Sequence, residues 1–422
     1  MCIRDRDSIT LHGKLWLVEN DLRTGQVIRS HSDNDTASWL NKPIDSIEHV
    51  MAVYRREAAQ MMARGIGCWY MDLMGRGWLY HPMIWDCIAE LHDLYASMQE
   101  DGSLRPLTPD VAVVLDESAM CCVAHAEQCG ARLVHSLRQN FYRAGIKFGW
   151  YTVEDVENGL VPSAKLIWFL NPFQIARERC DKLCEIARKQ GAAMVFMHGF
   201  GRTAADIVCR LTGMTIGMDA VSLANLAMDA PELLPEGKRF LPDAEDLRRQ
   251  IESPAYWDPV QTANPASWVE AAGQGTLEPL AWYTQGRLRG KIGAALCRHD
   301  GLTSVFVGAM QLTADGIREI CRRCGIHIYS ETDDALMIGD HVLAIHAAKP
   351  TAEQRARASA VNDGEVEAHH LKAVQLTDGQ VIRLKKPMKM DFPAEKDAAC
   401  DELSACLQPG ETQLWICRHD CF

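Results

Sequence analysis

Glu19 stands at the end of an early apolar run, in GKLWLVENDLRTG, and is followed at once by Asn20, Asp21 and, two places on, Arg23. Ionised groups are costly to bury, so a strand that carries a carboxylate to the mouth of a polar loop suggests a task for it. A second apolar run, IGCWYMDL, carries Trp69 and ends at Asp72, and Trp78 follows in the Gly-rich loop MGRGWLYHP. Were the two runs neighbouring strands of a parallel barrel, their carboxyl ends would converge on one site. Carboxylates that grip hydroxyls, beside rings that stack on sugar C–H faces, are the chemistry of carbohydrate sites. Each residue also has a plainer account. Glu19 could cap the following turn or pair with Arg23, and Asp21 could pair with Arg23 rather than with a sugar hydroxyl. Asp72 could cap the Gly-rich turn, and Trp78 could be packing. One of Trp69 and Tyr70 belongs to the core, because adjacent strand residues face opposite ways.

The elements that must position these residues follow from periodicity. DSIEHVMAVYRREAAQMMARG reads as a helix, with Asp45 and Glu48 as a capping-box signature and Gly65 as its stop. Ile47, Val50, Met51, Tyr54, Ala58 and Met61 make its apolar face. A second helix carries Ile84, Cys87, Ile88, Leu91, Leu94, Tyr95 and Met98 in register. Strand, helix, strand, helix, with strands apolar on both faces, is the grammar of parallel α/β folds. EDGSLRPLTPD reads as a linker, after which the alternation restarts in VAVVLDES, KFGWYT, AKLIWFLN and AAMVFMHG with helices between. That pattern predicts an open, doubly wound sheet. Residues 220–290, rich in Pro, Ala and charge, give no clear pattern. After a helix in LTADGIREICRRCG, the stretches IHIYS, DALMIGDHVLAIHA, HLKAVQLTDGQVIRLKK and ETQLWIC read as strands with Gly-Asp and Asp-Gly turns, a small antiparallel β domain.

Composition narrows the function classes. A chain of 422 residues is too long for one small core. Its formal charge of −12 argues against general affinity for nucleic acid or anionic membrane. No run of eighteen apolar residues is long enough to span a bilayer. The 16 cysteines are diluted, and Cys87, Cys180 and Cys184 fall inside helical patterns. They read as buried free thiols, which favours a reducing compartment and a cytoplasmic location. CRRCGIH offers two Cys and one His, whereas a structural zinc site wants four ligands, so neither a metal nor another cofactor is expected. Cys121 and Cys122 come too late after their strand to form a nucleophile elbow, and GFGR lacks dinucleotide-fingerprint spacing. The opening MCIRDRDS resembles translated sequencing-adapter read-through, which predicts that the chain is the back part of a longer one.

KLWLVEND, a helix, GIGCWYMDLMGRGW, a helix, a linker and a doubly wound domain together resemble the back part of family 42 β-galactosidases and the glycoside hydrolases related to them. The resemblance implies an incomplete (β/α)8-barrel remnant over 1–99, a flavodoxin-like, amidotransferase-like domain over 109–325, and a small β-sandwich-like domain over 326–422. It implies that Glu19 ends barrel strand seven as the nucleophile of a retaining glycosidase. Asp21, Arg23, Trp69, Asp72 and Trp78 would then meet the sugar, with Arg23 holding the Glu19 carboxyl ionised. The acid partner, a Glu after Asn on the family's fourth strand, would lie outside this chain, leaving it inactive alone. An oligosaccharide or glycoside substrate and a homo-oligomer, a trimer in the family, are implied as well. Two other readings stay open: a non-catalytic oligomerisation or carbohydrate-binding protein, and an amidotransferase-type enzyme.

Overall fold

The computed structural model describes residues 6–22, 24, 46–72, 77–121, 123, 133–134, 137–222, 227–235, 238–242 and 263–347, with short strands between 369 and 416. Arg23, Asp45 and Cys122 lie outside the described residues, as do most of the strands expected beyond 347. Contacts divide the chain into two compact units, Met1–Ser8 with Thr108–Ile328 and Ile9–Leu107 with Tyr329–Phe422.

In the unit that opens at Ile9, β1 (Leu17–Asn20) pairs in parallel with β2 (Gly67–Tyr70). Helix α2 (Ile47–Met62) connects them and α3 (Pro82–Glu100) follows, and the boundary at Ile9 falls inside the short helix α1 (Arg6–Leu11) that precedes both strands. Helix α2 starts at Ser46, whose hydroxyl accepts from the His49 amide and donates to Glu48, so the cap falls one residue after the expected Asp45. Pro82 opens α3, where a missing N–H costs nothing, and His81 caps it by accepting from the Met83 amide. The buried faces are close to those periodicity predicts: Val50, Tyr54, Ala58 and Met61 on α2, and Ile84, Cys87, Leu91, Leu94 and Met98 on α3.

The other unit is built on a ten-stranded mixed sheet. Its parallel part has the order β4 (Phe148–Thr152), β3 (Val111–Leu115), β5 (Leu166–Phe169), β6 (Ala193–Met197) and a later strand, Leu302–Val307. Strands β3, β5 and β6 are buried along their whole length, as continuous apolar runs require of a sheet covered on both faces. Phe141, Phe148, Trp150 and Trp168 interlock in edge-on and tilted pairs with centroids 5.2–6.3 Å apart in its core. The antiparallel extension draws in part on residues 220–290, opaque in the sequence. A ribbon, Met214–Ser222 with Ala263–Ala272, joins the sheet through Val269, and Thr276–Tyr283 pairs with Ile292–His299. The opening residues also take a place here: the Asp7 carboxylate accepts from the Trp150 amide at 2.7 Å, and Arg6 donates to the Tyr142 hydroxyl.

IHIYS, residues 326–330, is not a strand. Ala335–Ile338 and Val342–His346 form an antiparallel hairpin, and Thr412–Ile416 pairs with its second strand. The Thr412 hydroxyl donates to the Ala52 carbonyl at 2.7 Å, fastening that strand to α2. No helix among the described residues is long and apolar enough to cross a membrane.

Candidate functional site

The strand pair β1–β2 sets the geometry around Glu19. Its register places Glu19 opposite Trp69 and Asn20 opposite Tyr70. Because side chains alternate along a strand, Leu17, Glu19 and Trp69 share one face while Val18, Asn20, Cys68 and Tyr70 share the other. The second face packs on helix: the Tyr70 ring meets Tyr54 of α2 edge-on at 5.5 Å. Burial there raises the Cys68 thiol and the Tyr54 and Tyr70 phenols above their usual ranges, so all three stay protonated. The first face is open. Glu19 and Leu17 are exposed, and Trp69 shows 45% of its surface. A carboxylate and an indole side by side on an open sheet face can grip a hydroxyl and stack on a sugar ring.

The connection after β2 is held by Asp72. Its carboxylate accepts from the Gly77 amide at 2.9 Å and 3.1 Å and from the Trp78 amide at 3.3 Å. The Met71 amide continues the ladder by donating to the Asn20 carbonyl at 2.9 Å. Thr24, beyond β1, is fully buried and donates through its hydroxyl to the Trp78 carbonyl at 2.7 Å. Trp78 is only 3% exposed, whereas Tyr80, two residues on, is 70% exposed. The structure thus brings Glu19 and Trp69 together, commits Asp72 to backbone amides and covers Trp78. Asp21 is exposed just beyond β1, and Arg23 lies outside the described residues. Thr24 and Tyr80 were missed from sequence. Tyr80 stands in the quoted loop, but its exposure depends on how Asp72 folds that loop.

The large sheet has its own polar cluster. Asp116, after β3, and Asn171, after β5, exchange hydrogen bonds through amide 116 and carbonyl 116 at 2.8 Å and 2.6 Å. Arg179 reaches the Asp116, Glu154 and Glu157 carboxylates at 2.8–3.0 Å. A small cleft beside them is lined by Asp116, Val153, Phe169, Asn171 and Arg179 among others. Cys121, exposed, ends the short helix Glu117–Met120. Cys321 faces the core, and burial holds its thiol and that of Cys324 protonated. No group of three or more His, Cys, Asp or Glu able to hold a metal occurs among the described residues.

A parallel strand pair backed by helices and a large mixed sheet make this a mixed α/β fold, and solved structures share it. No protein-family model and no curated protein matches the sequence. The β-galactosidase from Bacillus circulans sp. alkalophilus superposes with a TM-score of 0.59 at 12% identity, over 98% of this chain and 57% of its own. Gan42B, a GH42 β-galactosidase from G. stearothermophilus, gives 0.58 at 12% identity, over 98% and 55%. The β-galactosidase from the haloarchaeon Halorubrum lacusprofundi gives 0.59 at 12% identity, over 99% and 55%. The likeness is one of fold, and the chain spans little more than half the length of these structures.

Proposed function

We propose that the chain carries the nucleophile-bearing part of a retaining glycoside hydrolase that acts on β-galactosides, with Glu19 as the nucleophile. The observation that carries this reading is the pairing of Glu19 with Trp69 on one open face of a parallel strand pair, in a fold shared with GH42 β-galactosidases. On this reading β1 and β2 are the last two strands of a (β/α)8 barrel, and the ten-stranded unit is an oligomer-building, amidotransferase-like domain. A retaining glycosidase needs two carboxyl groups about 5–5.5 Å apart, one to attack the anomeric carbon and one to protonate the leaving oxygen. Glu19 takes the first role, Trp69 stacks on the sugar, and Asp21 grips a hydroxyl. The acid belongs to a part of the barrel this chain does not supply.

The test begins with the source DNA upstream of residue 1, read for an in-frame barrel that ends a strand in Asn-Glu. A protein joining that segment to this chain should hydrolyse an aryl β-galactoside. A 2-deoxy-2-fluoro β-galactoside should leave a glycosyl adduct on the peptide holding Glu19, found by mass spectrometry. Turnover that survives Glu19→Gln, or an adduct on another residue, overturns the assignment.

A further inference from the structure

The connection after β2 does more than link two elements. It leaves the carboxyl end of β2 at Asp72 and enters α3 at Pro82, so it lies at the same sheet edge to which β1 delivers Glu19. Asp72 gathers the Gly77 and Trp78 amides, Thr24 ties the Trp78 carbonyl back to the segment after β1, and the indole of Trp78 is covered. These bonds clasp the two carboxyl-end connections together. What the clasp leaves uncovered is Tyr80, an aromatic side chain 70% exposed with the Gly77 turn behind it, the Tyr80 amide donating to the Gly77 carbonyl at 3.1 Å.

We propose that Tyr80 is a second sugar platform at the Glu19 mouth and that Asp72 is its positioning residue, presenting Tyr80 to the unit beyond the scissile bond of a β-linked disaccharide. This rests on the glycosidase reading and extends it. Trp69, in register with Glu19, serves the ring whose bond is cut. Tyr80 lies past the strand end and serves the next ring. An aromatic ring in this position adds contact without touching the reacting atoms, so its effect falls on longer ligands alone. Asp72 acts through the loop: its acceptors hold two amides that would otherwise turn to water, and the carboxylate itself meets no sugar.

The test is binding of galactose and of lactose to the full chain, by titration calorimetry or saturation-transfer NMR. Lactose should bind more tightly than galactose. Tyr80→Ala should raise the lactose Kd about three- to tenfold and leave the galactose Kd unchanged, the scale of one aromatic contact. Asp72→Ala should reproduce that selective loss. Asp72→Asn, which keeps one amide-facing oxygen, should restore part of it, a pattern that general unfolding would not give. Thermal unfolding checks that each variant folds, and Tyr80→Ala, at an exposed position, carries the test if Asp72→Ala does not. Equal shifts for both sugars, or no shift in Tyr80→Ala, overturn the second platform while galactose binding lost in Trp69→Ala keeps the glycosidase reading standing. Absence of lactose binding to the unmodified chain overturns the second platform, while the glycosidase reading stands or falls on the Glu19 adduct in the joined protein.

Discussion

Arg179 answers three carboxylates with one guanidinium, at 2.8 Å to Asp116, 3.0 Å to Glu154 and 2.8 Å to Glu157. Its neighbours raise its pKa against the opposing effect of burial, so it is charged at every working pH. The place matters, because Asp116 and Asn171 stand at the carboxyl ends of β3 and β5, where the strand order reverses and open α/β sheets take their ligands. Here the chain's own side chains bind one another across that crevice, which makes the cluster a lock between β3, β5 and the helix Arg177–Gln190. Arg179→Ala would leave the nearly covered Asp116 carboxylate without its counter-charge. It should cost about 3 kcal/mol, the lower end of the range for broken buried pairs, read from the urea midpoint. Arg179→Lys should recover only part, since an ammonium cannot reproduce the planar fork. Glu19→Gln is the contrast. An exposed side chain should shift the midpoint by less than about 0.5 kcal/mol.

Two helices of the large unit end on glycines that make different demands. Gly191 closes Arg177–Gln190 at φ +65°, and an added Cβ would meet open space. Gly213 closes Ala205–Thr212 at φ +71°, and its Cβ would fall 2.6 Å from the Cys297 sulfur and 2.7 Å from the His299 ring. Gly191→Ala should therefore cost only the left-handed strain, about 1–2 kcal/mol. Gly213→Ala should cost clearly more, and the difference between the two melting temperatures isolates the clash. Strands β3, β5 and β6 were legible in the sequence, because their apolar runs leave little alternative to a doubly covered strand. The Met214–Ser222 and Ala263–Ala272 ribbon was not, because its partners are far apart in sequence and its second strand carries Pro265 among small residues. IHIYS misled in the opposite direction: its buried apolar residues, Ile326 and Tyr329, lie three apart in an irregular segment rather than at the two-residue spacing of a strand. At the candidate site, residue types suggested sugar chemistry, but only strand register shows that Glu19 lies opposite Trp69, and nothing in the loop's pattern separates the covered Trp78 from the exposed Tyr80.

On the scale of the whole molecule, pH separates two effects that fall close together. The chain carries a formal charge of −12 at pH 7 and its pI is about 5.7, so acidification weakens the repulsion that keeps copies apart. Stability changes in an overlapping window for a different reason. His299 is buried in the large sheet, its ring 3.2 Å from the Ser304 hydroxyl, and desolvation lowers its pKa below 6.5. The Leu211 backbone and Asp300 pull the other way, and Arg188 adds to the lowering, so burial and one cation prevail. The unfolded chain then binds a proton at this position more readily than the folded one. The stability His299 contributes is complete above about pH 6.5 and declines as pH falls through that value toward the folded pKa. Asp206, whose carboxyl is lowered from 3.8 by Arg177, loses its contribution only in a more acidic range. Urea midpoints measured from pH 8 to pH 5 should accordingly fall on the acid side, and His299→Gln should flatten that slope while leaving acid-induced association near the pI unchanged. An acid slope that persists undiminished in His299→Gln would assign it to charge loss over the whole surface.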